Sequence, residues 1–213
     1  NLATLYQPNP NSLKDLKNVV EANIIFPASV LAWLTSNKNL KVVNALSYHQ
    51  LLDFQAQNVY SLSKELFKKF LDNQESEIVN LYIFDTFGCG DTRNKVVDIF
   101  IKNILTGNSI SIPSNKVNIN LADVQLICKS FIKSIDLQHG SYSLKSPDTI
   151  SLEKLALMIM DITNKKVDLI REKIGPNYFD DIESFPDNIF AQDPNYTLQT
   201  SLEKRIREIQ DGL

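Results

Sequence analysis

The run Leu40-Lys41-Val42-Val43-Asn44-Ala45-Leu46 is short and mostly apolar, and Ser47 follows it at once. Its length and its flanks predict a buried strand. A polar and aromatic loop extends from Ser47 to Gln57. From about Tyr60 to Asn73, Leu62, Leu66, Phe67, Phe70 and Leu71 recur at helical spacing. Ile78-Val79-Asn80-Leu81-Tyr82-Ile83-Phe84 then predicts a second strand. Strand, helix and strand in this order predict a parallel pair joined by a crossover helix, the unit of α/β folds.

The pattern continues on both sides. Upstream, Leu13, Leu16, Val19, Val20, Ile24, Val30, Leu31 and Leu34 have helical spacing. Ser12 is placed to cap that helix, and Pro27 to kink or divide it. The chain opens on the apolar run Leu2-Ala3-Thr4-Leu5-Tyr6, which reads as a strand end. Downstream, Gly88-Cys89-Gly90 breaks the chain and Asn94 to Leu105 predicts a helix. Ser109–Ile112 and Val117–Leu121 alternate like half-buried strands. A helix over Ala122–Ile135, a strand over Ser141–Leu144 and a helix capped by Ser151 follow. Residues 176–200 are rich in Pro, Asn and Asp and poor in pattern, and Leu202–Ile209 predicts a short closing helix.

Composition removes several classes of function. The 213 residues carry 22 basic and 25 acidic side chains, a net charge of −3, with the lysines scattered. No polyanion-binding face is expected, so nucleic acid is excluded as a partner. The longest apolar stretch, Ala22 to Leu34, is broken by Pro27 and Ser29 and is too short for a bilayer, so no membrane association is expected. Cys89 and Cys128 make no disulfide framework, which fits a reducing, cytoplasmic setting. The two histidines, His49 and His139, lie at no metal-ligand spacing with carboxylates or thiols, and no metal is expected.

Three features bear on chemistry. Tyr60 and Lys64 lie four apart on a predicted helix, hence on one face. An ammonium near a phenol favours the phenolate, and a tyrosine so tuned passes protons to or from a hydroxyl near neutral pH. Ser47 stands at the carboxyl end of a buried strand, where open α/β sheets bind ligands. The stretch Phe84 to Lys95 leaves a strand at its carboxyl end, turns on glycines and presents Arg93 and Lys95, a fork and a point charge suited to a diphosphate. Each has a plain structural reading: an accidental spacing, a turn serine, a solvated charged loop. Cys89, between two glycines, is a weaker candidate thiol.

In order and spacing, these features resemble the extended short-chain dehydrogenase/reductases acting on nucleotide sugars, in particular the branch of 6-deoxysugar 4-ketoreductases and epimerases that includes abequose-synthase-like proteins. Further segments are similar to that family's: Leu2-Ala3-Thr4 beside the cofactor, Asn23 in the next helix, Asn120-Leu121-Ala122-Asp123-Val124 at a strand-to-helix junction, and Ser141 to Leu155. The resemblance implies a Rossmann-like doubly wound parallel sheet with a smaller α/β substrate-binding lobe. It implies NAD or NADP as cofactor, contacted by Leu2, Ala3, Thr4, Asn23, Tyr60 and Lys64, and a nucleotide-diphosphate sugar as substrate, contacted by Ser47, Asp85, Arg93, Lys95 and Lys116. Ser47, Tyr60 and Lys64 would be catalytic. Lys116 falls where relatives commonly carry an arginine on the diphosphate. The implied activity is epimerisation or 4-keto reduction of a nucleotide-linked (deoxy)sugar for surface polysaccharide, including lipopolysaccharide. The alternative is a non-catalytic pseudoenzyme or interaction module on the same fold.

The resemblance also implies an organisation. Residues 1–85 and 115–136 would be the remainder of the dinucleotide-binding domain, and 86–114 and 137–213 the substrate-binding lobe. The two long helices of the first half would pair in a homodimer. None of the six glycines forms the family's glycine-rich phosphate turn. With the apolar start at Asn1, this leads to the expectation that the 213 residues belong to a longer protein, with three strands and their helices upstream.

Overall fold

The computed structural model describes residues 1–34, 40–52, 58–74, 76–91, 94–173 and 182–212. In chain order the helices and strands are α1 (Leu13–Val20), α2 (Phe26–Leu34), β1 (Lys41–Ser47), α3 (Val59–Asp72), β2 (Glu77–Ile83), β3 (Asp85–Phe87), α4 (Val96–Thr106), β4 (Ile110–Pro113), β5 (Asn118–Asp123), α5 (Val124–Lys133), β6 (Gly140–Leu144), β7 (Thr149–Ser151), α6 (Leu152–Thr163), β8 (Leu169–Glu172) and α7 (Leu198–Asp211). They divide into two units. The first comprises Asn1–Ile83, Lys129–Lys145 and Ile182–Ile189, and the second Phe84–Cys128, Ser146–Asp181 and Phe190–Leu213.

The first unit is built on a three-stranded parallel sheet in the order β1-β2-β6. The predicted strand–helix–strand unit is present: β1 and β2 pair in parallel over their full length, with α3 as the crossover. Asn58 caps α3, accepting from the Ser61 backbone while the Ser61 hydroxyl returns a bond. The helix buries Phe67 and Leu71 against Ile78 of β2 and Leu31 of α2. The upstream helix is divided, as Pro27 predicts. A π-turn over Glu21–Ile25 separates α1 from α2 just before the proline. The wider turn shifts the hydrogen-bond ladder where the ring's missing N–H would otherwise interrupt it. Residues 186–189 run along β6, with Ser143 N bonded to Asp187 O and Ile189 N to Ser143 O.

The second unit packs α4, α6 and α7 around two small sheets, β3-β5-β7 and the parallel pair β4-β8. Its core includes Phe100, Ile101, Ile104, Ile112, Leu121, Leu155, Ile159, Leu202 and Ile206. Thr197 caps α7, and Gly107 ends α4 with φ of +75°, a left-handed value that suits glycine. A buried bidentate pair ties α7 to α4: Arg205 Nε and Nη2 donate to Asp98 Oδ1 and Oδ2 at 2.9 and 2.6 Å.

β5 pairs with β3 and β7 in the second unit, and β6 extends the first sheet beside β2. Alternation marks a strand but not its partner; the partner is set by register between segments about sixty residues apart. The strands β3, β7 and β8 were also missed, because three- or four-residue strands carry too little period to read. The closing helix begins at Leu198 rather than Leu202, since Thr197 supplies the start signal. Among the described residues no helix is long and apolar enough to cross a membrane.

Candidate functional site

In the first unit the candidate residues gather at the carboxyl end of β1. Ser47 is the last residue of that strand and is buried. Its backbone N–H donates to Gln50 Oε1 at 2.9 Å, and its hydroxyl accepts a long 3.4 Å bond from His49 N. The hydroxyl proton stays available to donate. Lys64, one turn along α3 from Tyr60, is only 3% exposed. Its Nζ donates to Ala45 O of β1 at 3.2 Å and to Ala3 O at 3.4 Å. An ammonium has three donors, so two hold the chain and one remains for another group. Burial lowers the Lys64 amine to about 8, which leaves it charged at neutral pH.

The opening segment is held beside this lysine. No strand is assigned over residues 1–7, but Asn1 N donates to Val43 O and Ala45 N donates to Asn1 O, the pattern of a parallel bridge to β1. Leu2 is exposed and Ala3 contributes its carbonyl to Lys64. Asn23 is 1% exposed. Its Oδ1 accepts from Leu5 N at 2.6 Å, and its Nδ2 donates to Leu5 O and Ser63 Oγ at 3.2 and 2.8 Å. Asn23 therefore fixes the path of the opening segment, with two bonds to Leu5 and one to Ser63. Tyr60 is half-buried, with its ring edge-on to Tyr6 at 4.9 Å between centroids.

Sequence reading missed Asn44 and Asn80. Asn1 Nδ2 donates to Asn44 Oδ1 and Asn44 Nδ2 to Asn80 Oδ1, both at 3.0 Å, forming a buried amide ladder across neighbouring strands. The signal was visible: an asparagine at the middle of each of two apolar strands needs a partner.

The second unit holds the remaining candidates. Asp85 opens β3 and is half-buried, but its Oδ2 is out of solvent and has no hydrogen-bond partner among the described residues. Burial pushes its carboxyl up to about 6, against the opposing pull of Lys95 and of the Asn120 backbone. Gly88 follows, where an added Cβ would lie 2.4 Å from Val124 Cγ1; only glycine passes. Lys116 lies elsewhere, in a groove with Ser114, Asn115, Ser151 and Arg171. Arg93 lies outside the described residues. Among those described, no three His, Cys, Asp or Glu side chains are grouped to hold a metal.

The Asp85 carboxyl yields a testable consequence. Its folded value lies above the ordinary 3.8, so between these values the folded chain holds a proton that the unfolded chain releases. Stability from this group is full below about pH 4 and lost as pH rises through about 6. Asp85→Asn removes the penalty. It is expected to stabilise the protein by about 3 kcal/mol above pH 6, at roughly 1.4 kcal/mol per pH unit, and to make little difference near pH 4. Urea unfolding at both pH values checks this; an equal effect at each refutes the assignment.

The methanogen structure of UDP-N-acetylglucosamine 4-epimerase from Methanobrevibacter ruminantium M1, in complex with UDP-N-acetylmuramic acid, superposes with a TM-score of 0.79 at 20% identity, covering 100% of this chain and 76% of that one. The two share a Rossmann-like fold. UDP-glucuronic acid 4-epimerase from Bacillus cereus, in complex with UDP-glucuronic acid and NAD, gives 0.78 at 15% identity over 100% of this chain and 74% of that one. RMD from Pseudomonas aeruginosa, complexed with NADPH, gives 0.78 at 13%, over 100% and 80%. Among curated proteins, CDP-abequose synthase of Yersinia pseudotuberculosis is 24% identical over 181 residues, 79% of this chain. The chain matches over 63% of that relative's length. No family model matches the sequence. Within this fold, β1 presents Ser47 and α3 presents Tyr60 and Lys64.

Proposed function

We propose that this chain is part of an NAD(P)-dependent enzyme that epimerises or reduces a nucleotide-diphosphate sugar. The observation that carries the reading is Lys64: a buried, charged amine tied to Ala3 O and Ala45 O, one helical turn from Tyr60 and beside the strand that ends in Ser47. A buried charge is costly unless it serves a purpose, and perturbed groups gather at functional sites. The similarity to CDP-abequose synthase supports a sugar nucleotide as substrate; surface polysaccharide is the proposed destination of the product. Residues 1–83 would then serve the dinucleotide and the second unit the sugar nucleotide.

The residues present fit the nicotinamide end of a dinucleotide. Lys64 keeps one donor for a ribose hydroxyl, and Tyr60 is half-buried on the same helix. Bound NAD(P) supplies the hydride acceptor and donor. Tyr60 moves the proton at the sugar hydroxyl, the Lys64 charge lowers the cost of its phenolate, and the Ser47 hydroxyl orients the sugar oxygen. The alternative is a non-catalytic module on the same fold, and the bonds of Asn23 to Leu5 and Ser63 are the observation on its side. Titration with NAD(H) and NADP(H) separates the two. Saturable binding of one of them supports the enzyme; no binding by the active preparation refutes it.

The same reading includes a homodimer through the helices of the first unit. Leu13 of α1, Phe26 and Trp33 of α2 and Leu66 of α3 are 67, 55, 77 and 58% exposed, more apolar surface than isolated helices need to show water. Trp33→Glu with Leu66→Glu is expected to weaken self-association by at least about 30-fold, as loss of central aromatic anchors does. Light scattering after size exclusion reads the mass. A wild-type protein that is monomeric at micromolar concentration sinks this part.

A further inference from the structure

The Ser47 hydroxyl accepts only the long 3.4 Å bond from His49 N, so its aim is set by the backbone that carries it. That backbone is tied by one side chain. Ser47 N donates to Gln50 Oε1 at 2.9 Å, and Gln50 Nε2 donates to Glu65 Oε2 at 3.0 Å. Gln50 is buried and belongs to the short 3₁₀ turn Tyr48–Leu51 that follows β1. Glu65 belongs to α3, next to Lys64 and five residues after Tyr60. The orientation of the amide is forced. A backbone N–H only donates and a carboxylate only accepts, so Gln50 turns its oxygen to Ser47 and its nitrogen to Glu65. In an ordinary capping box the returning side chain serves the cap alone. Here its other end is spent on a second element. The Glu65 charge is felt in the sheet as well: burial first, then Glu65 and Asp72, push the Tyr82 phenol up to about 12, and Tyr82 pairs with Leu46 in register.

We propose that Gln50 and Glu65 are positioning residues, which hold the strand end bearing Ser47 in a fixed place against the helix bearing Tyr60. Lys64 already ties α3 to β1 at Ala45 O; Gln50 adds a second tie at Ser47 itself. Two ties on one strand end fix its rotation as well as its distance, and a side chain placed by its backbone needs both. Both residues act through Ser47 and not on the sugar or the cofactor. That role rests on the function proposed above for Ser47 and Tyr60; the hydrogen-bonded path does not. The two residue types are matched. A glutamate at position 50 would set two carboxylates face to face across the path. Exchanging the two residues restores it: Ser47 N donates to one oxygen of the carboxylate now at 50, and the amide now at 65 donates to the other.

Turnover of UDP- and CDP-linked hexoses by the active protein reads the role. Gln50→Glu is expected to lower kcat by about 10- to 100-fold, the cost of a small misplacement of a reacting group. KM and the NAD(P) dissociation constant are expected to stay within about threefold, because neither ligand loses a contact. Gln50→Glu combined with Glu65→Gln is expected to return kcat to within about threefold of wild type, a coupling that two independent losses do not give. A single variant with the wild-type kcat, or a double variant no faster than the single, overturns the role in turnover. Amide hydrogen exchange at Ser47 reads the path without turnover. Glu65→Ala is expected to speed it by about 10-fold, the worth of one hydrogen bond, although Glu65 does not touch that amide. An exchange rate at Ser47 that Glu65→Ala leaves unchanged overturns the path. Faster exchange in a protein that binds no NAD(P) and turns over none of these sugars would leave the path standing and sink the proposed function.

Discussion

Tyr60→Phe in the active protein is expected to lower kcat by about 10²–10⁴-fold, the usual contribution of a positioned acid or base. The dissociation constant for NAD(P) is expected to stay within about twofold. The substitution removes one oxygen and keeps the ring, so the edge-on contact with Tyr6 survives. Asn23 and Ser63 hold the opening segment, and Lys64 holds β1 to residue 3. The lysine predicts the pH dependence. Its amine is lowered to about 8 by burial, so its charge fades as pH rises through that value. Support for the phenolate fades with it, and wild-type turnover should fall above about pH 8. Stopped-flow turnover with a matched binding titration checks both statements. A Tyr60→Phe protein with the wild-type rate removes Tyr60 from its role.

Asp98→Ala is expected to destabilise the second unit by about 3–5 kcal/mol, because it leaves Arg205 buried and unmatched on α7. Asp98 is 3% exposed and accepts both arms of the guanidinium. The carboxylate holds Arg205 well above its ordinary value, so the arginine cannot escape by losing its proton. Glu208, at 3.3 Å from Nη1, is only a partial substitute. The melting temperature should fall by about 10 °C. The double variant Asp98→Ala with Arg205→Met should recover most of the loss, since apolar replacement of a whole buried pair is often neutral. Calorimetry of the three proteins decides. If the double variant is no better than the single, the penalty lies in the cavity and not in the stranded charge.

How the sequence and the structure share the explanation is clearest at particular residues. The strand ending in Ser47, the capped helix bearing Tyr60 and Lys64, and the strand after it were legible, because each is a local pattern with a local cause. Hydrophobic period, cap residues and the break at Pro27 act within one or two turns of chain. Lys64 was named as a cofactor contact. What it grips in the structure is two carbonyls, one of them sixty residues away, and no spacing rule reports that. Asn23 was read as a cofactor residue; that it also clamps Leu5 depends on a fold that no local pattern reports. Asp85 was read as a substrate contact; its orphaned oxygen and raised carboxyl come from burial, which depends on what packs over it.

By itself, then, the amino-acid order determined the α/β class, the parallel β1–α3–β2 unit and the shared helix face of Tyr60 and Lys64. These follow from periodicity and capping, whose energies are local. Only the tertiary structure decided that β6 joins the first sheet and β5 the second unit, that Lys64 is buried and lowered to about 8, and that Arg171 shares a groove with Lys116. Those facts depend on register and desolvation, which arise only when segments distant in sequence come together.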